Sequence, residues 1–254
     1  MRDEEALVST KPVRGVMFDL GGTLCDYSME MGGATVEGLT RLGFDPSSED
    51  VFGAMMSGMV QASEDYSARP SYLHRDLFRD QFLATVKLLG GQAEAELLDW
   101  FEAENRANVI EHLRPKPDAA DVLRALRDRG IHCSVVSNAD DDFLAPTLVR
   151  HGLDGLLDDW TSSEEAGSCK PDPAIYRYAL AKTGLALEEV LFVGDSIQHD
   201  VAGAVVVGMR SALISNGLGA APFSAGLEAA VVPDFEVQQL TELIAIVDAL
   251  NQGQ

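Results

Sequence analysis

The chain has 254 residues, 46% of them hydrophobic and 24% charged, enough to bury a substantial interior in one large domain or a core plus an insert. Its 41 Asp and Glu against 19 Lys and Arg, a net charge of −22, repel nucleic acid and anionic membranes and argue against both as partners. No apolar run reaches the roughly 18 residues of a membrane span. Three cysteines (Cys25, Cys133, Cys169), odd in number and without a CxxC spacing, fit reduced thiols in a cytoplasmic protein better than a disulfide framework. The acid excess suits a solvated surface or, as a sharper reading, a high-salt cytoplasm that screens self-repulsion.

In chain order, residues 1–12 are charged and polar, lack the apolar core of a signal peptide and read as a flexible tail. Gly15-Val16-Met17-Phe18 predicts a buried strand that delivers Asp19 at its end, followed at once by Leu20-Gly21-Gly22-Thr23. A carboxylate at the C-terminal edge of a strand lies where α/β sheets place ligands, and aspartate can serve as a covalent nucleophile. The glycines would let backbone N–H groups approach a phosphate, although a turn explains the same residues equally well. Apolar residues then recur at three- and four-residue intervals over Met31–Leu42, Ser48–Tyr66, Leu73–Leu89 and Gln92–Ala107, predicting four helices between the first strand and the next.

Ala119–Arg129 predicts a helix ending at Gly130, and the β-branched run Ile131–Val136 ends in Ser137-Asn138. Cys169-Lys170-Pro171-Asp172-Pro173 is a turn carrying a lysine. Val190-Leu191-Phe192-Val193 predicts a strand leading to Gly194-Asp195-Ser196-Ile197-Gln198-His199-Asp200, with a helical pattern beyond. Val231-Val232-Pro233-Asp234 is read as closing the last strand, before a terminal amphipathic helix over Val237–Leu250. Taken singly, Ser137 and Asp195 read equally well as helix caps and Lys170 as a solvated turn lysine. Internal repeats and low-complexity segments are absent.

The order Asp19, Ser137, Lys170, then Asp195 and Asp200 five apart resembles the four motifs of haloacid dehalogenase (HAD) superfamily hydrolases, over about Val13 to the mid-230s. The resemblance implies an α/β fold, a doubly wound Rossmann-like parallel sheet core formed by 13–27 and 113–254, with a helical-bundle cap at 28–112 inserted between the first two motifs. It matches Asp19 to the nucleophile, Ser137 to the hydroxyl that donates to a phosphoryl oxygen, and Lys170 to the cation that offsets the charge of both. Gly22, Thr23, Ser137, Asn138 and Lys170 would line the phosphate. Two carboxylates bearing on one site repel unless a cation separates them, which fits Mg²⁺ held by Asp19 and Asp195, with the Gly21 carbonyl as the third ligand implied by the family. Asp200 would orient the surroundings of the metal or Lys170 rather than bind the ion.

One position departs from the pattern. Phosphatases of the family carry a second aspartate two residues after the nucleophile, as general acid, and here that position is Gly21. A positioned acid contributes about 10²–10⁴ in rate. The reading is therefore a Mg²⁺-dependent phosphatase of a small phosphorylated metabolite acting through an aspartyl-phosphate on Asp19, with leaving-group protonation coming from water, the substrate, or a cap-side acid such as Asp26 or His74. A haloacid dehalogenase, attacking carbon without metal, is the alternative. Against it stand the retained Asp195 and the lack of an aromatic residue at position 21. A weakly active or non-catalytic phosphate- or partner-binding protein is the second alternative. A serine esterase is set aside because no downstream Asp and His complete a triad after Ser196, and a receiver domain because it would be half this length. Arg69, His74, Arg75 and Arg79 are candidates for gripping a second anionic group of the substrate from the cap, or else helix charges paired with Asp76 and Asp80. Sugar phosphates, phosphoglycolate and nucleoside monophosphates fit equally well.

Overall fold

The computed structural model describes residues 11–215 and 231–252, so most of the N-terminal tail (residues 1–10) lies outside the described residues. Six strands form one sheet in the order β5-β4-β1-β6-β7-β8, every neighbouring pair parallel. They are β1 (Gly15–Phe18), β4 (His132–Ser137), β5 (Asp159–Ser162), β6 (Val190–Gly194), β7 (Arg210–Ile214) and β8 (Phe235–Val237). Two short strands, β2 (Cys25–Asp26) and β3 (Arg114–Pro115), pair antiparallel beside the sheet.

Side chains alternate across β1 as a strand buried on both faces requires. Val16 and Phe18 join a cluster with Val122, Leu123 and Leu126 of α5 (Ala119–Asp128), Leu144 and Leu148 of α6 (Asp141–Arg150), and Leu243 and Val247 of α10 (Glu242–Gln252). Met17 faces the other way, into a cluster with Ile175, Tyr176 and Ala179 of α8 (Pro173–Thr183) and Ala204 of α9 (Ala202–Val207). The short α7 (Ser163–Ala166) follows β5. Helices thus cover both faces, and the chain forms the doubly wound α/β sheet that the resemblance implies.

Between β2 and β3 run a 3₁₀ turn (Met29–Gly32) and the helices α1 (Gly33–Arg41), α2 (Glu49–Ser67), α3 (His74–Leu88) and α4 (Ala95–His112). They share an apolar cluster of their own around Ala34, Leu39, Val51, Phe82, Val86 and Phe101, in which the Phe82 and Phe101 rings stack at 4.3 Å. Ser48 caps α2, its hydroxyl accepting the Val51 N–H.

The C-terminal end differs from the sequence-based expectation. The last strand is Phe235–Val237 rather than Val231–Asp234, and the helix starts at Glu242 rather than Val237. Pro233 has no N–H for a ladder, and the Asp234 carboxylate instead accepts the Ser211 N–H, which starts the pairing with β7 one residue later. Glu242 turns its carboxylate back onto the N–H groups of Gln238 and Gln239 and so holds the chain in a turn before the helix. Val237 and Leu240 are buried all the same; the apolar period registered burial, and strand, turn and helix share it.

Candidate active site

Strand β1 is the point from which the chain leaves in both directions, to β4 and β5 on one side and to β6, β7 and β8 on the other. Ligands of open α/β sheets bind beyond the carboxyl ends of the strands at such a switch point. Asp19 follows β1 there, its N–H donating to the Val193 carbonyl at 2.9 Å. Phe18 is in register with Val135 of β4 and Val193 of β6, so Ser137 and Asp195 come out at the same edge.

Lys170 joins the site from the turn before α8. Its Nζ donates to Asp19 Oδ1 and to Asp200 Oδ1, each at 2.6 Å, with all three side chains buried. Asn138 fixes the lysine by its backbone: the amide Nδ2 donates to the Lys170 carbonyl at 3.0 Å and Oδ1 accepts the Lys170 N–H at 2.6 Å. The Asn138 amide is thereby spent on Lys170, leaving its backbone as the part able to meet a phosphate.

Asp195 and Asp200 are brought together by one wide turn, Ile197–Val201, closed by the Val201 N–H on the Ser196 carbonyl, an i→i+5 bond. Asp200 is fully engaged, one oxygen on Lys170 and the other on the Ser196 N–H at 2.9 Å. The Tyr176 hydroxyl secures the turn from behind by donating to the His199 carbonyl. Gly22, at φ +80°, lets the chain pass close to Asp195, because any β-carbon there would run into the Asp195 carboxylate. Its own N–H donates to the Cys25 carbonyl at 2.7 Å. Thr23 is buried, and its hydroxyl has no hydrogen-bond partner among the described residues.

Asp19, Asp195 and Asp200 can each turn a carboxylate oxygen to within 4.8 Å of the others. Against them stands one ammonium, so the fully ionised cluster carries two uncompensated negative charges. Burial pushes Asp19 up to about 7 against the pull of Lys170, with Asp200 and Asp195 adding to the rise. Burial and then the Asp200 charge push Asp195 up to about 6. Burial alone would lower Lys170, but Asp19 and Asp200 outweigh it and keep the lysine protonated. A divalent cation would supply the charge this cluster lacks, and an all-oxygen donor set matches a hard ion such as Mg²⁺.

The four cap cations do not gather at this cluster. Arg75 bonds Glu164 at 2.8 Å, Arg79 lies near Asp76, Asp80 and Glu102, and Arg69 stacks on the Tyr66 ring at 3.9 Å. His74 lies against Tyr72 and Phe78, its Nδ1 3.8 Å from Asp140. Of the two cap-side acids considered, Asp26 is ion-paired with the buried Lys116, and His74 faces Asp140. What approaches the lysine turn from the helical block is the segment before α3, where the Pro70 carbonyl accepts the Cys169 N–H at 2.8 Å.

Two residues at the site escaped the sequence reading. Asp140 heads α6, yet its carboxylate accepts the His74 and Arg75 N–H groups at 2.7 and 2.8 Å and so caps α3. Tyr27 is 62% exposed, but its hydroxyl end is turned toward Gly21. Desolvation of that end, then the charges of Asp19, Asp195 and Asp200, push the phenol well above its ordinary range. No local pattern announces either role, since both depend on neighbours remote in sequence or on space vacated by a glycine.

Comparison with known proteins bears on the family and the fold. The family model of haloacid dehalogenase-like hydrolases matches residues 13–208. The ribulose-1,5-bisphosphate 5-phosphatase of Halopiger xanaduensis is 27% identical over 78% of this chain and 83% of its own. The glyceraldehyde 3-phosphate phosphatase of Methanocaldococcus jannaschii is 25% identical over 94% of this chain and 99% of its own. Among solved structures, the HAD-hydrolase YfnB of Bacillus subtilis superposes with a TM-score of 0.77 at 19% identity, covering 94% of this chain and all of that one. The L-2-haloacid dehalogenase of Xanthobacter autotrophicus superposes with a TM-score of 0.71 at 23% identity, covering 93% and 98%.

Proposed function

The chain belongs to the haloacid dehalogenase-like hydrolases, and from that premise we propose that it is a Mg²⁺-dependent phosphatase that hydrolyses a small phosphorylated metabolite through an aspartyl-phosphate on Asp19. The observation that carries the proposal is the buried cluster of three carboxylates around one lysine, two negative charges in excess. A metal-free dehalogenase has no use for Asp195 in that cluster. The relatives named above as phosphatases support the reaction class, and their substrates differ enough that no single metabolite is singled out.

In this reading Asp19, the Gly21 carbonyl and Asp195 would hold the cation, which when bound would supply positive charge against the phosphoryl oxygens. Asp19 forms an oxygen–phosphorus bond as the ester's phosphorus–oxygen bond breaks, and water then attacks phosphorus to release phosphate and restore the carboxylate. Lys170, held protonated by Asp19 and Asp200, offsets the charge gathering on the transferred group. Ser137 at the end of β4 and the unpartnered Thr23 hydroxyl supply donors, and Asn138 acts by fixing Lys170. Asp200 positions Lys170. In this reading residues 13–27 and 113–254 serve as the catalytic core and 28–112 as a cap over it. The cap's part in choosing the substrate falls to the segment around Pro70 rather than to Arg75 and Arg79, whose charges are already paired. The buried thiols of Cys25, Cys133 and Cys169, none joined to another, fit a reducing cytoplasmic setting. No helix of the described residues is long and apolar enough to cross a membrane.

The test is p-nitrophenyl phosphate hydrolysis with and without Mg²⁺, beside Asp19→Asn. Turnover that needs the ion and vanishes in the variant is the expected result. No turnover, or turnover indifferent to Asp19, overturns the reading, and release of chloride from 2-chloropropionate without metal would replace it with a dehalogenase.

A further inference from the structure

Gly21 leaves a space where a side chain would otherwise project, and that space is filled. A β-carbon at position 21 would lie 2.5 Å from the Tyr27 hydroxyl oxygen, 2.8 Å from Cζ and 3.0 Å from Cε1, so the phenol end of Tyr27 occupies the volume a residue 21 side chain would take. The backbone between them enforces this approach. The chain turns back on itself after Asp19, with the Gly22 N–H on the Cys25 carbonyl at 2.7 Å, the Cys25 N–H on the Leu20 carbonyl at 2.8 Å, and a bridge pairing Gly21 with Cys25. Strand β2 is pinned to β3, and Asp26 is ion-paired with Lys116, so the residue that follows emerges over Gly21. The Tyr27 hydroxyl makes no hydrogen bond among the described residues, while the rest of the ring is open to solvent. It is a donor without an acceptor, placed against Gly21, two positions after the proposed nucleophile, although Tyr27 itself is eight positions from that nucleophile in sequence. Asp26 and His74, the other candidate acids, both have carboxylate or ammonium partners of their own elsewhere.

We propose that the Tyr27 hydroxyl takes over the position of the aspartate absent at residue 21 and donates its proton to the leaving oxygen of the phosphate ester. The inference rests on the phosphatase reading of the site. As the Asp19 oxygen bonds to phosphorus, the ester bond breaks and its electron pair stays on the leaving oxygen. That oxygen takes the Tyr27 proton and departs as the alcohol, an alkoxide being a far stronger base than a phenolate. In the second half, the water oxygen bonds to phosphorus, the Asp19–phosphorus bond breaks with its pair returning to the carboxylate, and a water proton restores the phenol. The sum is ester plus water to alcohol plus phosphate, with both side chains regenerated.

The experiment compares kcat/KM for p-nitrophenyl phosphate and benzyl phosphate, two esters of similar shape whose leaving groups differ in their need for a proton, the benzyl alkoxide being a far stronger base than a phenolate and the p-nitrophenolate a weaker one. In Tyr27→Phe the ratio of the first to the second should rise by about 10²-fold, the low end of what a positioned acid contributes. Tyr27→Ala, which also clears the ring carbons 2.8 and 3.0 Å from a residue 21 β-carbon, should raise the ratio as Tyr27→Phe does, and adding Gly21→Asp to it, which returns a carboxylic acid to the vacated space, should bring the ratio back toward that of the unaltered chain. A ratio that Tyr27→Phe leaves unchanged overturns the inference while leaving the phosphatase standing. Failure of the unaltered chain to hydrolyse p-nitrophenyl phosphate in a Mg²⁺- and Asp19-dependent way sinks both. The Phe variant removes one unbonded hydroxyl from an exposed ring, so a change in this ratio is not a folding defect.

Discussion

Asp19 and Asp195 have an ordinary value of 3.8 and stand at about 7 and about 6 in the folded chain without a cation. Raised acids mean that the folded state binds more protons than the unfolded one between those limits. Stability from this pair is therefore present at low pH and falls as pH rises from about 4 through about 7. A divalent ion reverses the penalty, but only by displacing protons wherever the acids still hold them. Calorimetric titration with Mg²⁺ should show affinity rising from below about pH 6 to above about pH 7, with proton release detectable as a dependence of heat on buffer. Affinity flat across that range, with no buffer dependence, would mean the two carboxylates do not share the ion. The residues in this prediction were legible in the sequence because each sits at the end of an apolar run, where strand and turn are both local signals. Tyr27 was not legible. It fills a gap opened by Gly21, and a gap has no sequence signature.

At the scale of elements, the helical block is held to the core through a cap borrowed from the other side. Leu73, at the head of α3, has no side chain able to accept its first-turn N–H groups, and Asp140 does so from the start of α6. Burial pulls the Asp140 carboxyl up, but the hydrogen bonds and charge it meets at His74 and Arg75 outweigh this and hold it below its ordinary value. A lowered acid contributes stability that is fully present above 3.8 and is lost as pH falls through its lower folded value. Docking of α3 should thus survive mild acid and fail only below about 3.8. Asp140→Ala should cost about 1 kcal/mol, as loss of a helix cap does, and should speed hydrogen exchange at the His74 and Arg75 amides. Exchange unchanged at those two amides would show that Asp140 does not hold the helix. This arrangement explains why the basic run of the cap misleads on paper. Arg69, His74, Arg75 and Arg79 form a cationic cluster in sequence, yet Arg75 reaches Glu164 across 89 positions and Arg79 reaches Glu102. Partners at such separations set the role of a charge, and periodicity carries no trace of them. The four helices themselves were visible because their apolar spacing is local, with α4 displaced toward His112 and α10 delayed to Glu242 where side chains, not propensity, set the start.

For the whole molecule, the charge of −22 acts against the compact state. A chain of this length folds to a radius of gyration of about 18 Å. In about 0.01 M salt the screening length is about 30 Å, so every excess carboxylate senses most of the others; at about 1 M it is about 3 Å, and only groups in contact still interact. Exposed pairs such as Arg150 with Glu111 and Arg129 with Asp248 lose some attraction over the same range, but such pairs contribute only about 0–1 kcal/mol each. Repulsion among 22 excess charges is long-ranged and is removed first, whereas the closest pairs at 2.7–2.8 Å lie within even the shortest screening length. The melting temperature should therefore climb as NaCl is raised from about 0.01 to about 1 M, with most of the gain at the low end. Scanning calorimetry at constant, excess Mg²⁺ separates this from cation binding at the site, since any binding there is then held fixed. A melting temperature that is flat or falls with salt would mean that the paired charges govern the surface and that the acidic excess confers solubility alone.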